Sequence, residues 1–242
     1  MILKLVNILM FIVMIAVNYL ANALPMNGIT TGELSAQYPN LFVPAGITFA
    51  IWGFIYLLLL GFIIMQFYEP AKIPVKAISW VFAISCLLNS LWIIAWHYEQ
   101  LPLSLIIMLG LLLSLIFINY QLQGFTTGIT KAAFGVYLGW ICIATIANIT
   151  ALLVHYNWGG WGISEEAWTI IMIFAGVLIT SFALVRLNNP FIGIAVAWAF
   201  LGIVIKQRGD YPSIVLAAIA AIVLISTLTL WLLIKGGGET KA

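Results

Sequence analysis

The sequence predicts an all-α integral membrane protein of about eight transmembrane helices. Three observations carry that prediction. Hydrophobic residues make up 64% of the chain and charged residues 7%, with a mean hydropathy of +1.18; a soluble domain hydrates its surface with about 25% charged residues. Eight apolar runs approach the roughly 20 residues a helix needs to cross the hydrocarbon core. Every Asp, Glu, Lys and Arg falls outside those runs. At 242 residues the chain fits one membrane domain, with no room for a separate soluble catalytic domain.

Residues 5–24 form the first run, after Lys4. With Ala21 and Ala23 near its end it has the outline of a signal peptide. The run is long for that, and Asn18, Tyr19 and Asn22 interrupt it, so a retained helix is expected. A polar connection, 25–42, carries Gly28 and Gly32 and is bounded by Pro25 and Pro39. The second run, 43–67, stops at Tyr68-Glu69-Pro70, an interfacial aromatic beside a charge. The third, 77–96, follows Lys72 and Lys76 and stops at His97-Tyr98-Glu99. The fourth is 101–122, and the fifth, 132–154, follows Lys131. A second long connection, 155–166, holds Trp158 and Trp161 among three glycines. It reads either as an interfacial aromatic belt or as a lid over a cavity. The sixth run is 167–185, closed by Arg186. The seventh, 190–205, is the shortest and either crosses with little tilt or dips in as a re-entrant segment. The eighth is 213–234, and the glycine-rich residues 236–242 are expected to be a flexible tail.

Charge supplies an independent check. With eight crossings, the side holding both termini receives Lys4, Lys72, Lys76, Lys131, Arg186, Lys235 and Lys241, and the other side receives only Lys206 and Arg208. Five of the seven acids, Glu33, Glu99, Glu165, Glu166 and Asp210, fall on that second side. The positive-inside rule then puts both termini in the cytoplasm, and the plasma (inner) membrane is the expected location. A formal charge of +2 with no basic cluster excludes nucleic acid as a partner; the lipid bilayer is the expected one.

Polar residues inside apolar spans usually face the bundle interior. Here they are Asn18, Asn22, Gln66, Asn89, Ser90, Asn119, Thr145 and Asn148. Helix–helix hydrogen bonds, worth on the order of 1 kcal/mol each, are their ordinary role. Asn89 and Asn148 stand out because each lies within two turns of a tryptophan, Trp92 and Trp140; amide and indole together offer hydrogen bonds and a flat surface in an apolar pocket. No carboxylate lies mid-span, which argues against an ion-coupled transporter, and no lysine does, which argues against a retinal Schiff base. His97 and His155 are expected as solvated residues at one membrane edge. Cys86 and Cys142 read as small buried hydrophobes with no metal spacing. No catalytic signature occurs, and neither catalytic nor metal-binding residues are expected.

Three motifs then point to a family. Residues 39–56, PNLFVPAGITFAIWGFIY, resemble the pattern PSWTPPGWVFGPVWxxLY, matching at Pro39, Pro44, Trp52 and Tyr56. LNSLW at 88–92 resembles LNxxW, and YLGWICIATIAN at 137–148 resembles YLxWxxFATxLN. In this order on successive helices, they resemble the TspO/MBR family of tryptophan-rich sensory (translocator) proteins. The resemblance covers residues 1–155, a five-helix core, and leaves 156–235 as three additional transmembrane helices. It implies a pocket for a hydrophobic, planar small molecule, a porphyrin or haem, with no obligatory cofactor. Trp52, Tyr56, Asn89, Trp92, Trp140, Ala144, Ala147 and Asn148 would be its ligand-binding residues, capped by 25–42, and a homodimer is a further implication. The chain departs from the pattern at Leu41 and Gly46, where the family has tryptophans, and at Val136, Ile143 and Ala147. The function implied is a membrane sensor or carrier. A transporter completed by the last three helices is the alternative, with Gly176, Gly193 and Gly202 permitting close helix approach. A porphyrin-degrading enzyme ranks last, since two signature tryptophans are missing.

Overall fold

The computed structural model describes residues 1–23, 26–68, 75–125 and 128–238. Eight long helices run through them: α1 (Ile2–Ala23), α3 (Ile51–Tyr68), α4 (Val75–His97), α5 (Leu101–Gln121), α6 (Ile129–His155), α7 (Glu165–Leu187), α8 (Phe191–Gln207) and α9 (Pro212–Gly238), with a six-residue helix, α2 (Thr31–Ala36), in the first long connection. Seven of the eight are long and apolar enough to cross a membrane, and α8 is shorter. The seventh apolar run is therefore one continuous helix, not a re-entrant pair. The second run, expected from residue 43, enters as a 3-10 turn (Gly46–Ala50) before α3 begins. Helix α9 continues through Gly238, into the stretch expected as tail. Pro25, the Glu69-Pro70 turn, Lys72 and residues 239–242 lie outside the described residues.

The outer surface explains why lipid must be the solvent. Leu57, Ile106, Leu113, Phe182 and Leu216 are each largely exposed, and a contiguous apolar exterior of that kind is not tolerated in water. The interior is largely apolar as well, packed from Leu, Ile, Phe and Trp with buried amides such as Asn18, Asn89 and Asn119 among them. Helix α6 is the hub: it packs against α3, α5, α7 and α8, and every residue from Ala133 to Ile143 is buried, as expected of a helix apolar all round. With it α5, α4, α1 and α3 form a ring, closed only weakly where α1 meets α3. Helices α7, α8 and α9 pack on one another and join the ring through α6.

Close approaches sit at glycines. A methyl added to Gly139 of α6 would stand 2.2 Å from the Ile192 carbonyl oxygen of α8. Gly193 meets Thr229 of α9, Gly176 meets Phe200 of α8, and Gly202 meets Pro44 and Thr48, so the three glycines singled out in the sequence all stand at helix contacts. Phe62, Phe82 and Phe134 join α3, α4 and α6 edge to face, with centroids 5.0 to 5.8 Å apart. Near the start of α6, Asn189 donates to the Asn119 side chain at 2.7 Å and to the Lys131 carbonyl at 2.8 Å. That amide, fully buried, ties α5 and α6 to the α7–α8 turn.

Candidate functional site

Helices α3, α4 and α6 each carry one motif, and their packing brings the three tryptophans together. Trp52 lies 6.1 Å, centroid to centroid, from both Trp92 and Trp140. Trp92 is 6% exposed and Trp140 3%, so both rings point into the bundle and not toward the acyl chains. Trp52 is half-buried and stacks on Tyr56 at 5.7 Å. Phe49 meets Trp140 edge to face, and Trp96 stacks on Trp92. A cleft of about 50 Å³ remains between these rings, also bounded by Thr31, Ser35, Val43, Pro44, Ile143, Ala144, Ala147 and Asn148.

Six of the eight residues expected from the sequence line this cleft: Trp52, Trp92, Trp140, Ala144, Ala147 and Asn148. Tyr56 lines a neighbouring cavity of about 310 Å³ between α1 and α3, which shares Thr31, Phe49 and Trp52 with the cleft. Asn89 lines neither. Its carboxamide accepts from Asn18 at 2.7 Å and donates to the Tyr137 hydroxyl at 2.8 Å, so it is spent on tying α1, α4 and α6 behind the tryptophans. The amide beside Trp92 is thus a strut; the one near Trp140, Asn148, is a wall. Helical spacing offered a sign of Trp96, one turn beyond Trp92; Thr31 and Ser35 come from the connection 25–42 and Phe49 from the 3-10 turn that opens the second run, and none of them had such a sign.

The segment 26–50, which covers the cleft and is its lid, is held from two sides. Thr30 caps α2 reciprocally with Glu33, the capping-box arrangement, and this backbone hydrogen bond holds the Glu33 carboxyl below its usual value. His97, expected at a solvated edge, is instead fully buried. Its Nδ1 donates to the Met26 carbonyl at 3.2 Å. A neutral ring then presents Nε2 as an acceptor, and the Thr31 hydroxyl lies 3.0 Å from it. The sequence misled because a histidine beside a charge looks wet when the loop that folds over it is unknown. Tyr38 donates to Glu99 at 2.8 Å; burial, and then that carboxylate, push the phenol up to about 12. His155 is exposed and touches the Tyr38 ring.

On its other side the lid rests on α8. Gly202 accepts from the Ala45 N–H at 3.0 Å, Trp198 Nε1 donates to the Thr48 carbonyl at 2.9 Å, and Gln207 donates to the Leu41 carbonyl at 2.7 Å. Helix α8 therefore grips both ends of the segment that carries Val43 and Pro44 over the cleft. Of α8 the sequence singled out only Gly193 and Gly202, as points of close helix approach, and no residue of it as a binding candidate.

Electrostatically the cleft is uncharged and rich in donors. The indole N–H groups of Trp92, Trp96 and Trp140 are buried without a hydrogen-bond partner, and an indole nitrogen can only donate. Each unpaired buried donor costs on the order of 1–3 kcal/mol. Asn148 faces Ser104 at 3.2 Å. Among the described residues no cluster of His, Cys, Asp and Glu could hold a metal ion. Cys86 and Cys142 are buried free thiols.

No curated protein and no solved structure matches the chain. One family model, described as TSPO-like protein, matches residues 4–231. That match runs past residue 155 through α7 and α8 and into α9, beyond the region where the three motifs lie. The chain belongs to the TSPO-like protein family.

Proposed function

We propose that this membrane protein is a sensor or carrier that binds a flat hydrophobic ligand of the tetrapyrrole type between α3, α4 and α6, beneath the segment that α8 and α4 hold down. The observation that carries the reading is the convergence of Trp52, Trp92 and Trp140, with the donor edges of Trp92 and Trp140 left unpartnered. Indole faces supply stacking and apolar burial. Indole N–H groups donate and cannot accept, so they favour a ligand edge bearing acceptor oxygens or nitrogens.

Room is the constraint on this reading. Ligand pockets commonly measure roughly 300–1,000 Å³, whereas the cleft offers about 50 Å³. The α1–α3 cavity adds about 310 Å³ behind the shared wall of Thr31, Phe49 and Trp52. Rotation of Phe49 and Trp52 joins the two spaces, and the exposed Tyr19 and Gly53 border the cavity, so the ligand enters from the bilayer between α1 and α3. The termini face the cytoplasm in this reading, placing the lid on the opposite side.

Titrating the purified chain with protoporphyrin IX tests it. Saturable quenching of tryptophan fluorescence is expected at micromolar ligand, weakened by Trp140→Phe combined with Asn148→Ala. Non-saturable quenching, equal in the variant, sinks the tetrapyrrole assignment. Flux of the same ligand into proteoliposomes separates a carrier from a sensor.

A further inference from the structure

A third cavity lies apart from the tryptophan cleft and the α1–α3 cavity. It measures about 310 Å³ and is enclosed by residues 39–42 of the lid, the last turns of α6, the connection 158–163 and the first turns of α7. Phe42, Leu153, Val154 and Met172 make much of its wall apolar, Trp158 and Trp168 add two indoles, and Glu165 is the one charged residue lining it.

The connection is built to keep those indoles in place. Trp168 Nε1 donates to the Gly160 carbonyl at 2.8 Å, and the Trp158 ring packs on Trp168 at 5.1 Å. Gly160, Trp161 and Gly162 all have positive φ. Glycine adopts that region freely, but for a residue as bulky as tryptophan it is an outlier costing on the order of 1–3 kcal/mol. Trp161 is 81% exposed, so burial of its own ring does not offset the strain. Its ring contacts Trp158 and Trp168, and the strained turn maintains the three-indole cluster.

We infer that this cavity is a separate binding site for an organic cation, a quaternary ammonium group carrying an apolar tail. Aromatic faces attract such cations through the ring quadrupole, and indole does so best. The Glu165 carboxylate supplies the opposite charge, and no lysine, arginine or histidine lines the cavity to oppose it. Leu153, Val154 and Met172 receive the tail. Glu165 stands at the first turn of α7, so the head sits at that carboxylate and the tail runs along the apolar residues of α6 and α7. Either a free amphiphilic cation or a choline-type lipid headgroup supplies this chemistry.

The test uses the purified full chain in dodecyl maltoside and the probe hexyltrimethylammonium, against hexanesulfonate and hexanol, by calorimetric titration. The cation is expected to bind saturably, at least tenfold tighter than hexanol, with no binding of the sulfonate. Glu165→Gln is expected to erase that preference, and Trp158→Leu to weaken the cation more than the alcohol. Protoporphyrin quenching in the same preparations reports folding and is expected to stay unchanged in Glu165→Gln, which keeps this site and the tryptophan cleft distinguishable. Competition by added phosphatidylcholine but not by diacylglycerol assigns the site to a lipid headgroup; no competition by either assigns it to a free cation. Equal binding of cation and alcohol, or an unchanged preference in Glu165→Gln, overturns the inference.

Discussion

Gly202→Ala probes the grip of α8 on the lid. The added methyl would stand 2.0 Å from Thr48 Oγ1 and 2.8 Å from Pro44 Cβ, where non-bonded carbons prefer about 3.5–4.0 Å. These two contacts are relieved differently. Thr48 Oγ1 has no hydrogen-bond partner and can rotate away, whereas Thr48 Cβ, 2.9 Å from the added methyl, stays in place. Pro44 Cβ belongs to a ring fused to the backbone, so relief there requires the lid to retreat by roughly 1 Å. Inserting a methyl into a packed contact costs about 1–3 kcal/mol. Because Pro44 also walls the cleft, part of that cost appears in ligand affinity, at about 1.4 kcal/mol for each tenfold. Protoporphyrin is expected to bind roughly 5- to 100-fold more weakly, and the apparent melting temperature in detergent to fall by about 2–4 °C per kcal/mol. Gly209→Ala is the control, since a methyl there meets nothing within 4 Å. The double variant Gly202→Ala with Thr48→Ala should recover little, because Pro44 still collides. A Gly202→Ala protein with wild-type melting and wild-type quenching would refute the argument that α8 positions the lid.

Three further perturbations separate scaffold from site. Asn89→Leu strands the Tyr137 hydroxyl, at a cost on the order of 1–3 kcal/mol, and leaves the Asn18 amide only the Met14 carbonyl; thermal stability should drop more than porphyrin affinity, since Asn89 does not line the cleft. Gly139→Ala drives a methyl against the Ile192 backbone oxygen, which cannot rotate away, so recovery of monodisperse protein on size exclusion should fall below that of Gly202→Ala. The Tyr38–Glu99 latch depends on a neutral phenol whose folded value is raised from 10.0 to about 12. Its contribution is full below pH 10 and is lost as pH rises through about 12, so limited proteolysis of the lid should accelerate across that window, and Tyr38→Phe should remove the step.

The legible and illegible parts of the site divide by physics. Trp52, Trp92, Trp140 and Asn148 were readable because indoles and carboxamides inside apolar spans are few and fall at matching depths. Asn89 was readable as polar and buried but not as a strut, because which partner an interior amide meets depends on helix rotation. Thr31 and Ser35 reach the cleft only because the connection folds back over it, and Phe49 because the second run enters as a 3-10 turn. Asn189 sits beside Pro190 in what reads as an ordinary turn, and only the depth of that turn in the bundle shows that its amide joins two helices.

By itself the sequence determined the solvent, the number of helices and the depth of the aromatic residues. Charges cannot be stranded in hydrocarbon, so the sixteen Asp, Glu, Lys and Arg residues mark where the chain leaves it. Which faces meet was decided only in three dimensions. In a lipid-embedded helix the inner and outer surfaces are both apolar, so no periodicity of hydrophobicity marks the buried side; α8 carries Trp198, Gly202 and Gln207 to the lid because complementary shape and unpaired backbone groups draw it there.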